Sequence, residues 1–318
     1  MQSHERVTSP GYTPVAHHLP ARPTVTLRRR LREVGLPYLF LSPFLVLFAI
    51  FFILPLLYAL GLSLFADRMI GGTVFVGAQN YLQVFQDGNF WEGVRRTVVF
   101  GVVQVPVMLS LALVFALVLD SGGVRLRTLF RLGYYLPAAI PSVVAALMWG
   151  YLYGPSFGPF AQIAGAIHVP EPGFLSATGM LPSIGNIVTW LGTGSNMIIM
   201  YAALQSVPPD VYDAATVDGS TGWRTAWYIK IPLIRPALIL TGIFSIIGTL
   251  QLFAEPQIMS SLAPNIIGDH YTPNLYAYTL AFTNQQYNYA AAISFTLGVI
   301  IFVCSCLFMV VVNQRRVR

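Results

Sequence analysis

Side chains that could do chemistry are sparse in this chain. Its single lysine shows whether the chain could bind nucleotide phosphates. Lys230 is the only lysine among 318 residues, and Ile231 follows it with no glycine-rich loop before it. A phosphate-binding loop needs glycines followed by Gly-Lys-Ser or Gly-Lys-Thr, because backbone amides and the lysine hold the phosphates together. The sequence therefore predicts no ATPase site and no catalytic residues in this chain.

Histidine and cysteine side chains offer no metal site either. Cys304 and Cys306 are two residues apart, a spacing that directs them to different faces of a helix and matches no metal or disulfide pattern. His168 and His270 have no metal-ligand companions nearby in the sequence. We expect neither a metal site nor a cofactor bound by this chain.

A polar segment broken by turns lies between two strongly apolar regions and covers residues 207–235. Pro208 and Pro209 suit a helix start, and Gly219 breaks the helix. Residues on one side of a second short helix follow at four-residue spacing, namely Trp223, Trp227 and Ile231. Helices this short are unstable alone in water, so we predict that they rest on a partner protein or on the membrane face.

The surrounding composition is that of a membrane protein. Hydrophobic residues make up 55% of the chain and charged residues 9%, against roughly 25% charged in a soluble domain. Crossing ~30 Å of hydrocarbon takes about 20 apolar residues as a helix, and the apolar runs are continuous rather than alternating as in a barrel. We predict an all-α polytopic membrane protein whose six transmembrane helices lie at residues 37–62, 97–119, 132–153, 184–206, 236–254 and 290–312. Residues 1–35 are predicted to be a disordered basic cytoplasmic tail ahead of a transmembrane domain at 36–318.

Basic residues orient these spans, because Lys and Arg collect in cytoplasmic loops. With the N-terminus inside, fifteen of the eighteen Lys and Arg residues are cytoplasmic, and only Arg68, Arg95 and Arg96 are outside. We therefore expect both termini and the 207–235 segment in the cytoplasm. This topology accounts for the net charge of +6, so no nucleic-acid partner is predicted.

The polar segment resembles the coupling loop of permease subunits in binding-protein-dependent ABC importers. Their loop reads approximately E-A-A-x-x-x-G, then nine residues, then I-x-L-P. The matching positions here are Asp213, Ala214, Ala215, Gly219, Ile229, Ile231 and Pro232, and Asp218 beside the glycine fits the sugar-importer version. Asp213 replaces the usual Glu, and Ile231 replaces the usual Leu.

Two further stretches are similar to maltose-type sugar permeases. They are "FVGAQNYLQVFQDGNFWEGVRRTVVF" before and into span two and "RTLFRLGYYLPAAIPSVVAALMWGYLY" across span three. Arg96 departs from the Asn that is common at its position. The resemblance thus extends along most of the chain.

This resemblance implies a type I ABC importer permease fold in the plasma membrane of a bacterium, and it implies partners. The chain would act with a second homologous permease subunit, two ATPase subunits that bind ATP and Mg, and an extracytoplasmic sugar-binding protein. The 207–235 loop, including Trp223, would dock on an ATPase subunit. ATP-driven closure of the ATPases would then switch the permease from inward-open to outward-open and translocate a mono- or oligosaccharide. The alternative for this segment is a linker that lies on the membrane surface.

Polar groups near or within the membrane are candidates for the substrate path, because a charge there costs about 2.5–3.5 kcal/mol on insertion scales. Glu255 lies at the outer end of span five, and Gln251 precedes it by one turn on the same predicted helix face. The alternative is that Glu255 reaches outer water. Amides and aromatic rings that could contact a sugar are further candidates, namely Trp190, Asn196, Tyr201, Asn274, Tyr276 and Tyr278.

Two other transporter classes compete with this prediction. An ion-coupled secondary carrier would use buried carboxylates, and their near-absence in the spans argues against it and favours an uncharged cargo. An ABC permease for a non-sugar solute stays open as well, because the coupling loop is shared among importers.

Overall fold

The computed structural model describes residues 27–68 and 70–314, which are mostly helical. They divide into two units, one ending at Leu56 and one beginning at Leu57. In the first unit, α1 (Leu27–Phe48) leads into a π-helical turn at Ala49–Ile53. The next helix, α2 (Leu54–Ser63), begins in the first unit and belongs mostly to the second. The 26-residue stretch Tyr38–Ser63 contains an 18-residue window with a mean hydropathy of 2.7 and confirms the first predicted span. Most of the predicted tail lies outside the described residues, but residues 27–35 already belong to α1.

A short hairpin and a helix connect the first span to the second. Strand β1 (Phe65–Arg68) pairs antiparallel with β2 (Gly72–Phe75), and α3 (Gln79–Gln86) follows. The buried Asn80 donates from Nδ2 to the carbonyl oxygen of Ser63 at 2.8 Å. This bond joins α3 to the end of α2.

Helix α4 (Gly88–Asp120) forms the second span and is 33 residues long. It begins nine residues before the predicted start at residue 97 because Asp87 caps it. The Oδ1 atom of Asp87 accepts hydrogen bonds from the amides of Asn89 at 2.9 Å and Phe90 at 3.4 Å. The first turns of α4 contain polar residues, so the apolar run in the sequence begins later than the helix does.

The third predicted span is broken. Helix α5 (Arg127–Tyr135) passes through a 3₁₀ turn into α6 (Ser142–Leu152), and the two helices are bent by 96°. Pro137 and Pro141 lie in the break, and each lacks the amide that a continuous helix would use. The span predicted over 132–153 is thus present as a bent pair of helices rather than as one straight helix.

Helix α7 (Pro159–Ala166) precedes α8 (Met180–Gln205), which forms the fourth span. Gly194 of α8 approaches the bend so closely that a Cβ atom there would lie 2.0 Å from the carbonyl oxygen of Tyr134. Among the candidate spans of the described chain, the 18-residue apolar window of α8 has the lowest mean hydropathy, 1.3, and the largest buried share. The most polar span is thus the one most surrounded by protein.

The 207–235 segment contains three short helices. They are α9 (Pro209–Val217), α10 (Gly222–Thr225) and α11 (Ile231–Leu233), with a π-helical turn at Ala226–Lys230. Helix α11 is followed directly by the fifth span.

The fifth span consists of α12 (Arg235–Leu250) and α13 (Ala254–Leu262), 28 residues in all. It extends beyond the predicted end at residue 254 and is interrupted at residues 251–253. A continuous helix would need an amide at Pro256 to reach the Leu252 carbonyl, and proline has none. The interruption therefore has a local cause.

Helix α14 (Pro273–Tyr278) and a π-helical turn precede α15 (Tyr287–Gln314), the last span. Within residues 27–68 and 70–314, five helical segments are long and apolar enough to cross a membrane, or six if the bent pair is one span. This confirms the predicted all-α, six-span class. The main packing contact is between α4 and α8, through a core that contains Ala112, Ala116, Met197, Met200 and Leu204.

Candidate functional site

The polar segment folds as predicted, into short helices with a sharp corner at Gly219. This residue has φ +74°, the left-handed conformation that favours glycine. The amide of Ser220 donates to the Ala215 carbonyl at 2.9 Å, and that of Gly219 donates to the Thr216 carbonyl at 3.0 Å. These two bonds form a Schellman motif, which satisfies carbonyls at the end of α9. No atom lies within 4 Å of the position of a Cβ at Gly219, so the backbone conformation, and not space, requires glycine.

The residues that match the coupling pattern divide between an exposed and an inward face. Ala215 is buried, and Ile229 and Ile231 are half-buried. The exposed members are Asp213, Ala214, Asp218, Gly219, Trp223 and Pro232. The ring of Trp223, which is 76% exposed, stacks on that of Trp227 with centroids 6.1 Å apart. The corner therefore presents carboxylates and indole rings on its exposed face.

Lys230 connects this segment to two spans. Its ammonium forms an ion pair with Oδ2 of Asp120, the last residue of α4, and Gln205 of α8 donates to Oδ1 of the same carboxylate at 2.7 Å. The Lys230 and Asp120 side chains are only 15% and 5% exposed. The ammonium also lies 4.8 Å from the ring centroid of Tyr212 in α9. Because a buried charge that loses its partner is strongly destabilising, this pair couples the segment firmly to the bundle.

A second contact joins the end of the segment to the last span. Arg235 donates from Nη2 to the carbonyl oxygen of Val312 in α15. Between the segment and the ends of α4 and α8 lies a cavity of about 670 Å³. Its lining is partly polar and includes Asp120, Gln205, Tyr212, Thr216, Ser220 and Lys230. The segment is thus held at two points and has open space beneath it.

The buried Gln104 of α4 joins three spans and was not predicted. Its Nε2 atom donates to the Thr189 hydroxyl in α8 at 3.4 Å, and its Oε1 atom accepts from the Thr249 hydroxyl in α12 at 3.2 Å. Gln104 lies sixteen residues before Asp120 on the same helix, a distance of about 24 Å at 1.5 Å per residue. The sequence could have pointed to Gln104, because it is an amide side chain within an otherwise apolar run.

Three of the predicted substrate-path residues, Gln251, Asn274 and Tyr278, line one groove. This groove has a volume of about 550 Å³ and is also lined by Phe253 and Phe282. The ring centroids of Phe253 and Tyr278 are 5.1 Å apart, and those of Tyr278 and Phe282 are 4.9 Å apart. The groove therefore combines two amides with a row of aromatic rings.

Glu255 does not share a helix face with Gln251, so that prediction is wrong. Gln251 is exposed at the end of α12, whereas Glu255 lies in the first turn of α13 after the interruption. The structure also contradicts the alternative in which Glu255 reaches water, because only 8% of the surface of Glu255 is exposed. No ion pair of the described residues includes this carboxylate.

Tyr276 lies outside the groove and binds Asp87. Its hydroxyl donates to Oδ2 of Asp87 at 2.8 Å, and the Tyr289 hydroxyl donates to the same atom at 2.7 Å. Burial raises the pKa of Asp87, but the hydrogen bonds from Tyr289, Tyr276 and the backbone amides outweigh burial and lower this pKa overall. Burial and the Asp87 carboxylate raise the pKa of Tyr276 to about 12. Tyr276 thus ties α14 to the start of α4.

The remaining predicted substrate-path residues are half-buried and contact neighbouring parts of the protein. Asn196 donates to the carbonyl oxygen of Gly192 in its own helix at 2.9 Å. Tyr201 packs against the core between α4 and α8, and Trp190 packs edge-on against Trp149 at 5.7 Å. None of these three side chains lines the groove of Gln251.

Comparison with known proteins agrees with this architecture. Residues 108–318 match the family model described as "Binding-protein-dependent transport system inner membrane component". The lactose transport system permease protein LacF of Rhizobium radiobacter is 31% identical over 88% of this chain and 94% of its own length. The trehalose/maltose transport system permease protein MalF of Thermococcus litoralis is 30% identical over 76% of this chain and 82% of its own length.

A solved structure shares the fold. It is a chain of a bacterial ABC transporter involved in the import of the acidic polysaccharide alginate, with a TM-score of 0.78 and 21% identity. The match covers 91% of this chain and 98% of that one. The family model covers more than half of this chain, including the end of the second span, the coupling segment and all of the last four spans. The chain belongs to the family of inner membrane components of binding-protein-dependent transport systems.

Proposed function

We propose that this chain is the permease subunit of an ATP-driven ABC importer for a neutral mono- or oligosaccharide. The observation that carries the proposal is the 207–235 corner, which exposes acidic and indole side chains while it is bound through Lys230 to the ends of two spans. The sugar cargo rests on relatives described as lactose and trehalose/maltose permeases. It rests also on the groove of amides and aromatic rings around Gln251 and Asn274.

Both termini and the corner are cytoplasmic in this proposal. The distribution of basic residues supports it, since fifteen of eighteen would then lie inside. A cysteine at Trp223 in a chain without Cys304 and Cys306 should react with a membrane-impermeant maleimide only in inside-out vesicles. A cysteine at Phe157, which is 50% exposed between α6 and α7, should react only in right-side-out vesicles. The reverse pattern would refute this topology.

The partners follow from the same proposal. One ATPase subunit docks on the exposed face of the corner, a second homologous permease subunit brings a second ATPase, and ATP and Mg bind only to the ATPases. A solved relative was crystallised with an alginate pentasaccharide-bound periplasmic protein. We infer that an extracytoplasmic sugar-binding protein likewise delivers the cargo here.

Transport is alternating access, in which ATP binding at a distant site shifts a two-state helix bundle. Movement of the docked corner reaches the ends of α4 and α8 through the ion pair of Lys230 with Asp120. Helix α4 carries this movement to Gln104, where α4, α8 and α12 are hydrogen-bonded together. The groove of Gln251 and Asn274 is the proposed sugar path, and Glu255 remains a candidate on the neighbouring α13.

Reconstitution tests the proposal directly. Vesicles that hold the complete importer should accumulate lactose or maltose when ATP and the binding protein are supplied, and vesicles with this chain alone should not. An ion gradient without ATP should drive no uptake. Accumulation by this chain alone, or uptake that follows the ion gradient, would overturn the proposal.

A further inference from the structure

A second cavity, separate from the groove of Gln251, is walled by aromatic rings. It has a volume of about 520 Å³ and lies among α6, α7 and the loop before α8. The ring centroids of Tyr153 and Phe174 are 4.7 Å apart, those of Phe160 and Phe174 are 5.5 Å apart, and those of Trp149 and Tyr153 are 5.5 Å apart. The cavity and the groove share no lining residue.

Polar groups accompany these rings. Asn186 donates from Nδ2 to the Tyr153 hydroxyl at 2.8 Å, and both residues line the cavity. Nε1 of Trp149 is buried and has no hydrogen-bond partner among the described residues. Buried donors are nearly always paired in native structures, so an unpaired indole N–H in a cavity wall requires an explanation. A hydroxyl group of a bound molecule would supply the missing acceptor.

One wall of the cavity is preorganised. The Ser183 hydroxyl donates to the Phe174 carbonyl at 2.9 Å, and the Ser176 hydroxyl donates to the Gly173 carbonyl at 2.6 Å. The amide of Gly179 donates in turn to Ser176 at 3.1 Å. The loop is thus fixed by its own hydrogen bonds, and a rigid wall lowers the entropy cost of binding.

The lining identifies the chemical class of the ligand. It contains no Asp, Glu, Lys, Arg or His, so a charged solute would find no counter-charge here. Aromatic faces are electron-rich and attract the C–H groups on one face of a sugar ring, while hydroxyls on the ring edge can bond to amide and indole groups. The volume falls within the range of about 300–1,000 Å³ that is usual for small-molecule pockets.

We propose that this cavity is a subsite for one ring of a neutral saccharide, used before the sugar enters the groove of Gln251 and Asn274. The subsite deepens the proposed sugar import and rests on it. Trp149 and Asn186 supply hydrogen bonds, and the half-buried rings of Phe160 and Phe174 supply the stacking surface, backed by the buried ring of Tyr153.

Equilibrium binding to the full chain in nanodiscs tests the subsite. The probes are radiolabelled maltose and lactose, with digalacturonate as a charged counterpart. Trp149→Phe keeps the ring but removes the N–H, and it should weaken binding of the better neutral sugar about threefold to tenfold, as expected for one hydrogen bond. Asn186→Ala should do the same. Trp91→Phe is the matched control, because the indole of Trp91 donates to the Phe85 carbonyl away from the cavity, and its affinity should equal wild type.

The outcomes separate this proposal from sugar import as such. Unchanged affinity in both Trp149→Phe and Asn186→Ala would overturn the subsite, as would absence of maltose and lactose binding by the wild-type chain or equally tight binding of digalacturonate. Neutral sugar uptake by the complete importer would show in those cases that the proposed function stands. Failure of the complete importer to accumulate any neutral sugar would instead overturn the proposed function. A variant is compared only if it retains its ATPase subunits on purification, which shows that it is folded.

Discussion

At the scale of single residues, the contacts of greatest consequence join parts of the chain that are far apart in sequence. Asp120 and Lys230 are separated by 110 positions, and Asp87 lies 189 residues before Tyr276. Sequence reasoning singled out Lys230 as the lone lysine and Tyr276 as a polar aromatic. The sequence did not predict that Lys230 pairs with Asp120 or Tyr276 with Asp87, because pairing between residues so far apart depends on how the helices pack.

The ion pair of Lys230 and Asp120 should be needed for both stability and coupling. Lys230→Met leaves a buried carboxylate without its cation, which we expect to cost about 3–5 kcal/mol in the free energy of unfolding. The double variant Lys230→Met with Asp120→Leu removes both charges and should recover most of this stability. It should nevertheless show ATP hydrolysis that no longer responds to the binding protein.

Thermal unfolding and ATPase assays on the complete importer measure these two effects. Arg125→Met is the control, because Arg125 is an exposed cation after the end of α4 and outside the docking segment. Coupled, sugar-stimulated hydrolysis in the double variant would contradict a transmitting role for the pair.

Asp87 lies at the start of α4, the end opposite to Asp120. It should make the stability of the protein depend on pH. Its pKa is lowered in the folded state, so its contribution is complete above its ordinary pKa and is lost as the pH falls through the folded value. Asp87→Ala also removes the helix cap and should cost at least about 1 kcal/mol at neutral pH. Melting temperatures from pH 7 down to pH 3 should fall less steeply for this variant than for wild type. If the melting temperatures of variant and wild type fell in parallel with pH, Asp87 would not be the group responsible for the pH dependence.

At the scale of elements, local patterns predicted most helices, and the errors arose at breaks. The corner at Gly219 was predicted because glycine at a helix end carries a local indication that needs no tertiary contact. The break between α5 and α6 was foreshadowed by Pro137 and Pro141, but its 96° angle depends on packing against Gly194. The interruption before Glu255 was missed because its cause, Pro256, lies beyond the gap, within the next helix.

The corner provides the prediction at this scale. Gly219→Pro should abolish retention of the ATPase subunit, because proline is fixed near φ −65° and cannot adopt φ +74°. It also removes the amide that donates to Thr216. Gly222→Ala is the control, since Gly222 begins α10 without a positive φ and has open space at its Cβ position. Co-purification with the ATPase measures the difference, and full retention by Gly219→Pro would exclude the corner from docking.

At the scale of the whole molecule, the six-span class and the permease family were predictable, whereas the substrate path was only partly so. Composition and apolar run length fix the class, and the coupling pattern gives the family. Of the candidates, Gln251, Asn274 and Tyr278 meet in one groove, whereas Trp190, Asn196 and Tyr201 are half-buried and contact neighbouring parts of the protein elsewhere. Residue type alone does not distinguish a side chain that lines a groove from one that packs against its neighbours.

The groove provides the last prediction. Gln251→Ala and Asn274→Ala should each reduce the rate of sugar uptake about threefold to tenfold, the effect of one lost hydrogen bond, while assembly is kept. Gln83→Ala serves as the control, because Gln83 is an exposed amide on α3. Wild-type uptake by both groove variants, measured in the reconstituted importer, would remove this groove from the sugar path.

The scarcity of lysine has a practical consequence for observing the transport cycle. Because Lys230 carries the only side-chain amine, an acylating reagent meets one internal target, and that amine is shielded by the Asp120 carboxylate. A conformational change that moves the corner away from the helix bundle would expose the amine and increase its rate of acylation. Mass spectrometry of a single peptide, sampled while nucleotide is added, would then time the conformational step in the native, unlabelled protein.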